Sequence, residues 1–184
     1  MTQQEPIVVE SMDGSQAARG ESAFRLVYAE VFAEPPYSEG EEDVTATFRR
    51  FRSQTGKSAF RGAVARTHDG EPVGIAYGYP LSAKTRWWNQ LTTSVPDDMR
   101  REDGRRTFGL MELAVRAPWR GRGIARRLHD AVLDGSEAER VLINVHPESK
   151  AALAAYRAWG YQKVGEAQPW ADAAPHDVML LDLR

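Results

Sequence analysis

The chain has 184 residues, 42% of them hydrophobic and 27% charged, which is typical of one globular domain rather than of a disordered segment. Its net charge of −2 gives no electrostatic reason to expect a nucleic acid or an anionic membrane as partner, and the lack of cysteine excludes disulfides, thiolate zinc sites and a cysteine nucleophile. No apolar run approaches the ~20 residues of a membrane-spanning helix, and no signal-peptide pattern opens the chain. We therefore expect a single domain over residues 1–184 of a cytoplasmic protein.

The first half of the chain shows alternating strand and helix signals. A turn at residues 13–15 separates the first strand from the first helix, and Pro35-Pro36 ends that helix. Ser38 followed by Glu41 resembles a capping box and predicts the start of a second helix. The predicted elements are a strand at 6–10, helices around 24–32 and 44–51, and strands at 59–66 and 72–80.

Residues 81–107 are polar and irregular, and they predict a long loop or insertion. The pattern after them is clearer. Strand, helix, strand, helix and strand follow one another, which implies an α/β fold with a parallel crossover at the centre of a mixed sheet. The predicted elements are strands at 108–115, 141–145, 161–164 and 178–183, a helix from residue 124, and a helix at 151–159 that Gly160 ends.

The segment RGRGIA at residues 120–125 joins a strand to a helix and has the composition of an anion site. The first backbone N–H groups of a helix have no partner within it, and the helix dipole favours negative charge there. Gly121 and Gly123 let the backbone approach a phosphate, and Ala125 keeps the first turn slim. Four arginines supply charge-assisted donors: Arg120, Arg122, Arg126 and Arg127.

The spacing of this segment narrows the choice of anion. No GxxxxGK[ST] run is present, and a GxGxxG fingerprint fails because Arg126 stands at its third glycine. The pattern [QR]-x-x-G-x-[GA] does fit. With ELAVRAPWRGRGI before it and A-x-x-x-Y-x-x-x-G at residues 152–160 after it, the chain resembles the GNAT superfamily of N-acetyltransferases over residues 108–161. The N-terminal half agrees with that family only in layout.

The resemblance implies a mixed, mostly antiparallel central sheet with its parallel crossover at the motif strand, flanked by about four helices. It also implies acetyl-CoA (coenzyme A) as the cofactor and no metal. The pyrophosphate would lie on residues 120–125, the pantetheine would run along the motif strand, and an N–H near Leu113 would stabilise the oxyanion. The implied cofactor-binding residues are Leu113, Ala114, Val115, Arg120, Gly121, Arg122, Gly123, Ile124, Ala125 and Ser149, the last standing where the family commonly has Asn.

The resemblance also offers catalytic groups. A lysine-like amine is protonated at pH 7, and removing that proton costs about 4.6 kcal/mol, so a general base is needed. Glu112 in the motif strand is the first candidate, unless its side chain faces the wrong way or pairs with an arginine. His146, or a water held by Asn144, is the alternative. Tyr156 is the candidate acid for the departing thiolate, and its alternative role is aromatic packing at helical spacing.

The acceptor side leaves more than one hypothesis open. Acidic residues at 39–43 could attract a cationic amine, or they could simply favour a helix N-terminus. Tyr37, Trp87 and Trp88 could wall an acceptor pocket or form a homodimer contact. A small-molecule amine is the favoured substrate. A protein lysine or N-terminus is the alternative, and a non-catalytic acyl-CoA-binding module is a third hypothesis from another class.

Overall fold

The computed structural model describes residues 4–184, and within that range the chain forms seven strands and five α-helices. The strands are β1 (Val8–Asp13), β2 (Arg61–Arg66), β3 (Pro72–Pro80), β4 (Thr107–Val115), β5 (Arg140–Val145), β6 (Gln162–Ala167) and β7 (His176–Asp182). The helices are α1 (Gly14–Arg19), α2 (Glu21–Phe32), α3 (Glu41–Gln54), α4 (Ile124–Leu133) and α5 (Lys150–Ala158).

The strands form a mixed sheet in the order β1-β2-β3-β4-β5-β7-β6. Strands β4 and β5 are parallel, with Thr107 opposite Arg140, whereas the pairs β1–β2, β2–β3, β5–β7 and β6–β7 are antiparallel. The predicted fold class, an α/β fold with a mostly antiparallel sheet and a parallel crossover at the motif strand, is therefore confirmed. One helix more is present than the sequence indicated.

The chain divides into two compact units, and β4 contributes residues to both. The first unit contains the residues up to Tyr79 and residues 111–136, and the second contains residues 80–110 and 137–184. A single domain over the whole chain stays a prediction.

The core of the first unit is an aromatic cluster between α2, α3 and β3. Apolar residues three or four positions apart give each helix one buried face, which packs on the sheet. The Phe51 ring lies 5.1 Å from Phe24 and 5.0 Å from Tyr77, measured between centroids, and all three side chains are buried. Ala114 of β4 belongs to the same cluster. This cluster therefore fixes which face of β4 meets α2 and α3.

Gly74 of β3 allows α4 to lie close to the sheet. A Cβ atom at this position would come within 2.8 Å of Leu128 of α4 and 3.3 Å of the Ala114 carbonyl oxygen. Any larger residue would push the helix away, so this glycine helps to set the position of α4 and of the loop before it.

Two predictions in the first half were wrong, both at helix starts. Residues 14 and 15 begin α1 rather than forming a plain turn. Asp13, the last residue of β1, caps the helix, because its carboxylate accepts the Gln16 N–H at 2.8 Å and the Gln16 side chain accepts the Asp13 N–H at 2.9 Å. Ser38 does not cap α3. It has a φ of 47°, and the helix begins after Gly40, whose N–H donates to the Asp43 carboxylate at 2.9 Å.

The insertion at residues 81–107 contains two short 3₁₀ turns and a buried polar anchor. The indole N–H of Trp88 donates to Glu102 at 2.8 Å, and the guanidinium of Arg140 donates to the same carboxylate at 3.1 Å. Trp88 is only 4% exposed. Trp88 is therefore held inside the second unit by these contacts, and a role in an acceptor pocket or a dimer contact stays a prediction.

The same insertion runs beside β6. The Thr92 N–H donates to the Glu166 carbonyl at 2.8 Å, and the Glu166 N–H donates to the Thr93 hydroxyl at 2.9 Å. A Cβ at Gly165 would lie 2.6 Å from that hydroxyl, so glycine is required for the two segments to approach this closely.

We expect Glu102→Gln to lower the free energy of unfolding by about 3–5 kcal/mol, because it leaves the Arg140 charge buried without a counter-charge. The two side chains are 1% and 8% exposed. Arg184→Ala is the control, since it breaks the exposed pair with Glu139 and should cost at most about 1 kcal/mol. Urea denaturation of both variants measures the difference, and equal effects would contradict the role of the buried pair.

Within residues 4–184, no helix combines the length and apolar character needed to cross a membrane.

Candidate active site

The loop between β4 and α4 is built on two glycines in the left-handed region. Gly121 has a φ of +75° and Gly123 a φ of +76°, a conformation that residues with a side chain rarely adopt. A Cβ at either position would meet no atom of the described chain within 4 Å. The space in front of this stretch of backbone is therefore open, and a side chain there would fill it.

The backbone N–H groups of this loop are available as donors. Arg127 donates its N–H to the Gly123 carbonyl at 3.2 Å. The N–H groups of residues 121–125 have no acceptor in the part of the chain that the structure describes. Consecutive free N–H groups at a helix N-terminus form an anion site, so the loop fits a pyrophosphate.

The four arginines of the motif have different partners. The Arg120 guanidinium binds Glu34 at 2.6 and 3.1 Å and the Val115 carbonyl at 2.7 Å, so it ties the loop to the end of β4. This contact also lowers the pKa of Glu34. Arg127 donates to the Ile7 carbonyl at 2.9 Å, and Arg126 lies 3.3 Å from Asp130.

Arg122 differs from the other three. It is exposed, and within residues 4–184 it forms no ion pair. Its guanidinium can therefore meet an anion without losing an internal contact. The sequence names Arg120 and Arg122 as cofactor-binding residues, and binding of phosphate by either side chain stays a prediction.

The strand residues expected to bind pantetheine differ in burial. Leu113 is half-buried, whereas Ala114 and Val115 are buried. The Val115 carbonyl already accepts a hydrogen bond from Arg120. Binding of pantetheine by this strand stays a prediction.

Glu112 precedes Ala114 by two residues in β4, and Ala114 packs in the cluster of α2, α3 and β3. Alternate strand residues share a face, which favours the same side for Glu112, although Met111 also packs against this cluster. Glu112 is half-buried, and its carboxyl forms no hydrogen bond or ion pair with any described residue. Burial and, secondarily, the negative charge of Glu39 raise the pKa of Glu112 to about 8, while Arg50 acts in the opposite direction. The structure therefore does not support the alternative that Glu112 forms an ion pair with an arginine.

A polar network from α2 and α3 surrounds this carboxyl. The Thr47 hydroxyl donates to the Tyr28 hydroxyl at 3.2 Å, and Arg50 donates to Thr47 at 3.2 Å. Burial and the nearby Glu112 raise the pKa of both Tyr28 and Tyr77. Sequence reasoning missed Tyr28, Thr47 and Tyr77, since they fall at positions that pattern alone assigns to the core.

The second unit holds Tyr156, the candidate acid. The side chain is 5% exposed, and its ring packs edge-on against Trp159 at 5.4 Å and Tyr161 at 5.3 Å, measured between centroids. This environment accounts for an aromatic residue at the position. Its role as an acid stays a prediction.

The other candidates of the second unit lie on β5 and after it. The Asn144 side-chain oxygen is buried and has no hydrogen-bond partner within residues 4–184, so it can accept a proton donor. The His146 ring accepts the Glu148 N–H at 3.1 Å and lies 5.2 Å from His176. Ser149 does not cap α5 with its side chain, although its backbone N–H donates to the His146 carbonyl at 2.9 Å.

Among residues 4–184, no three histidine, aspartate or glutamate side chains come together in a way that could hold a metal ion.

The comparisons with known proteins agree with this fold. The sequence model of the acetyltransferase (GNAT) family matches residues 24–161. The chain therefore belongs to the acetyltransferase (GNAT) family. No curated protein matches it by sequence.

Similar solved structures include proteins of quite different specificity. The yncA protein of Salmonella typhimurium, solved with its cofactor acetyl-CoA, is 13% identical, with 97% of this chain and 95% of that chain covered and a TM-score of 0.60. The aminoglycoside N-acetyltransferase AAC(6')-Iy in complex with CoA is 14% identical, with 95% and 99% covered and a TM-score of 0.59. The NatC complex bound to Gag peptide and CoA is 14% identical, with 97% and 99% covered and a TM-score of 0.61. These similarities show the fold, and the proteins act on different kinds of molecule.

Proposed function

We propose that the protein is an N-acetyltransferase that transfers an acetyl group from acetyl-CoA to the primary amine of a small molecule, by direct attack in a ternary complex. The observation that carries the proposal is the loop before α4, where two left-handed glycines have open space beside the backbone at the start of the helix. Such a loop suits a pyrophosphate, and the chain belongs to a family of acetyltransferases.

Different segments of the chain bind the pyrophosphate and the pantetheine of acetyl-CoA. The N–H groups of residues 121–125 and the Arg122 guanidinium hold the pyrophosphate. The backbone of residues 113–115 binds the pantetheine, and Ser149 adds a contact. The cosubstrate supplies an activated acetyl thioester.

Glu112 acts as the general base. An amine reaches the enzyme mainly as an ammonium at pH 7, and the nitrogen lone pair is needed for attack on the thioester carbonyl. A carboxylate whose pKa is raised to about 8 accepts the amine proton more readily than one with an ordinary pKa near 4.5. Tyr156 donates a proton to the departing thiolate. Proton exchange with solvent then returns Glu112 to its carboxylate form and Tyr156 to its phenol form.

A small-molecule acceptor is favoured by the position of Glu112. Glu112 is half-buried, which suits an amine on a compact molecule better than a wide peptide surface. The fold does not distinguish a small-molecule acceptor from a peptide acceptor, since both an aminoglycoside N-acetyltransferase and the peptide-bound NatC complex share it.

Thiol release from acetyl-CoA tests the proposed function. The purified protein and acetyl-CoA are mixed with one kind of acceptor at a time: small primary amines, lysine peptides, or peptides with free N-termini. We expect steady release of free CoA with at least one small amine. Release with peptides alone would assign a protein substrate. Binding of acetyl-CoA without release for any acceptor would identify a non-catalytic binding module.

We expect Gly123→Val to weaken CoA binding by roughly 10- to 100-fold, because valine both strains the left-handed backbone and fills the space in front of the N–H groups. Isothermal titration calorimetry with CoA measures the effect. Arg122→Ala tests the same site without backbone strain and should weaken binding by roughly tenfold. Arg49→Ala removes an equally exposed arginine from α3 and should change nothing. Unchanged affinity in folded Gly123→Val and Arg122→Ala proteins would show that the anion binds elsewhere.

A further inference from the structure

The turn at residues 116–119 leads from β4 into the glycine loop at residues 120–125, and two arginines hold it in place. We propose that Arg116 is a positioning residue for the cosubstrate: it fixes this turn, so that the glycine loop already has its binding conformation when acetyl-CoA arrives. Arg116 acts through the loop and makes no contact with the cosubstrate itself. This inference rests on the proposed function and adds a residue to the same site.

Arg116 joins three elements of the first unit. Its guanidinium donates to the Glu30 carboxylate of α2 at 2.5 and 3.1 Å, and to the Glu71 carboxylate before β3 at 2.7 Å. It also donates to the Pro72 carbonyl at 3.1 Å, and the Arg116 backbone N–H donates to the Val73 carbonyl at 2.9 Å. One residue therefore holds α2, β3 and the end of β4 together.

The side chain of Arg116 is enclosed by its partners. It is 15% exposed, whereas the two carboxylates are 48% and 49% exposed. The Trp119 ring stacks on the guanidinium, with its centroid 4.9 Å from Cζ. A planar guanidinium can bind one carboxylate at two points, donate to a second one and stack on a ring at the same time. Lysine would keep the charge and lose most of these contacts.

The same residue begins the turn that leads into the glycine loop. The Arg116 carbonyl accepts the Trp119 N–H at 3.0 Å, and residues 117–119 form a 3₁₀ turn. Beyond this turn, the Arg120 guanidinium binds Glu34 at 2.6 and 3.1 Å. Both ends of the turn are therefore attached to the last part of α2 or to the residues just after it.

The glycine loop gains from this support because glycine has more conformational freedom to lose than any other residue. Gly121 and Gly123 follow the turn directly, and both must adopt a positive φ. A loop that becomes ordered only when the ligand binds lowers the affinity, whereas a preorganised loop does not. Without Arg116, one end of the turn would be released. We therefore expect the affinity for the cosubstrate, rather than the chemical step, to depend on Arg116.

Calorimetry with CoA on Arg116→Gln tests the proposal. We expect the affinity to fall by roughly 3- to 10-fold, the range for ordering one further group on binding. In steady-state kinetics the KM for acetyl-CoA should rise by the same factor, while kcat at saturating acetyl-CoA stays unchanged. Arg116→Lys should fall between wild type and Arg116→Gln, because it keeps the charge without the two-point contact.

Arg52→Gln is the matched control for loss of an ion pair on α2. Arg52 binds Glu21 at 2.8 and 3.0 Å, which is the same kind of two-point contact at the other end of that helix. Its CoA affinity should equal that of the wild type. Glu30→Gln removes a partner of Arg116 at a half-exposed position, and it should weaken CoA binding in the same direction as Arg116→Gln. Thermal melting of each variant records any effect on the fold.

The outcomes separate this inference from the proposed function. Unchanged CoA affinity in folded Arg116→Gln and Glu30→Gln proteins would overturn the role of Arg116 alone. Equal losses in Arg116→Gln and Arg52→Gln would also overturn it, because the cause would then be a general weakening of α2. If Arg116→Gln does not fold, Glu30→Gln decides by itself.

Calorimetry with CoA needs no acceptor. A wild-type protein that binds CoA and transfers no acetyl group therefore still tests the role of Arg116, although the proposed transferase activity would have failed. A wild-type protein that binds no CoA would overturn the proposed function and this inference together.

Discussion

Glu112→Gln is expected to lower turnover with a primary amine by roughly 10²–10⁴-fold at pH 7, the usual range for loss of a positioned base. The wild-type rate should rise with pH as Glu112 ionises, with the midpoint near its raised pKa of about 8. Glutamine cannot accept the proton, so the variant should depend on free amine supplied by solvent. Its deficit should therefore shrink as the pH approaches the pKa of the amine. Rates measured from pH 6 to pH 10 with saturating acetyl-CoA test this expectation.

Stability and cofactor binding are the controls for this variant. The folded state raises the pKa of Glu112, so it favours the protonated form, and the stability from this preference is lost as the pH rises from the unfolded value near 4.5 through about 8. Glu112→Gln should therefore melt no lower than the wild type at pH 9, and CoA affinity should be unchanged. A Glu112→Gln enzyme with a wild-type pH profile would move the base to His146, to a water on Asn144, or to the substrate itself.

Tyr156→Phe is expected to lower turnover by roughly 10²–10⁴-fold, because the departing thiolate would lose its proton donor. The deficit should change little with pH, since it arises after the amine has attacked. Phenylalanine keeps the ring that packs against Trp159 and Tyr161, so the fold should be preserved. Single-turnover kinetics measure the chemical step directly.

Tyr161→Phe is the matched control for the loss of a hydroxyl. Tyr161 is 2% exposed and lies beside Tyr156, yet no catalytic role is assigned to it. Tyr161→Phe removes one hydroxyl oxygen and should leave turnover unchanged. A Tyr156→Phe enzyme as active as Tyr161→Phe, under conditions where chemistry limits the rate, would reduce Tyr156 to aromatic packing.

The features that the sequence predicted are those encoded by neighbouring residues. The strand, glycine turn and helix around residues 108–133 follow from local periodicity and from two glycines that must adopt positive φ. Gly160 likewise ends α5, with a φ of +103°. Each of these depends on the chain within one or two turns of the residue concerned.

The features that the sequence did not predict depend on tertiary contacts. Arg120 looked like a phosphate donor until Glu34, far away in the chain, became its partner. The sequence did not indicate that the Trp88 indole N–H and the Arg140 guanidinium both donate to the Glu102 carboxylate in a buried polar cluster. The raised pKa of Glu112 comes mainly from burial and secondarily from the charge of Glu39, and no local sequence pattern encodes either.

The contact between the insertion and β6 covers part of an edge strand of the sheet. An edge strand with unpaired backbone groups invites pairing with another chain. Residues 91–93 occupy that position along the last part of β6, and Gly165 lets them come close enough to do so. Deletion of residues 81–107 would therefore expose the backbone of this edge strand, and we expect such a variant to pair with further copies of itself and to aggregate.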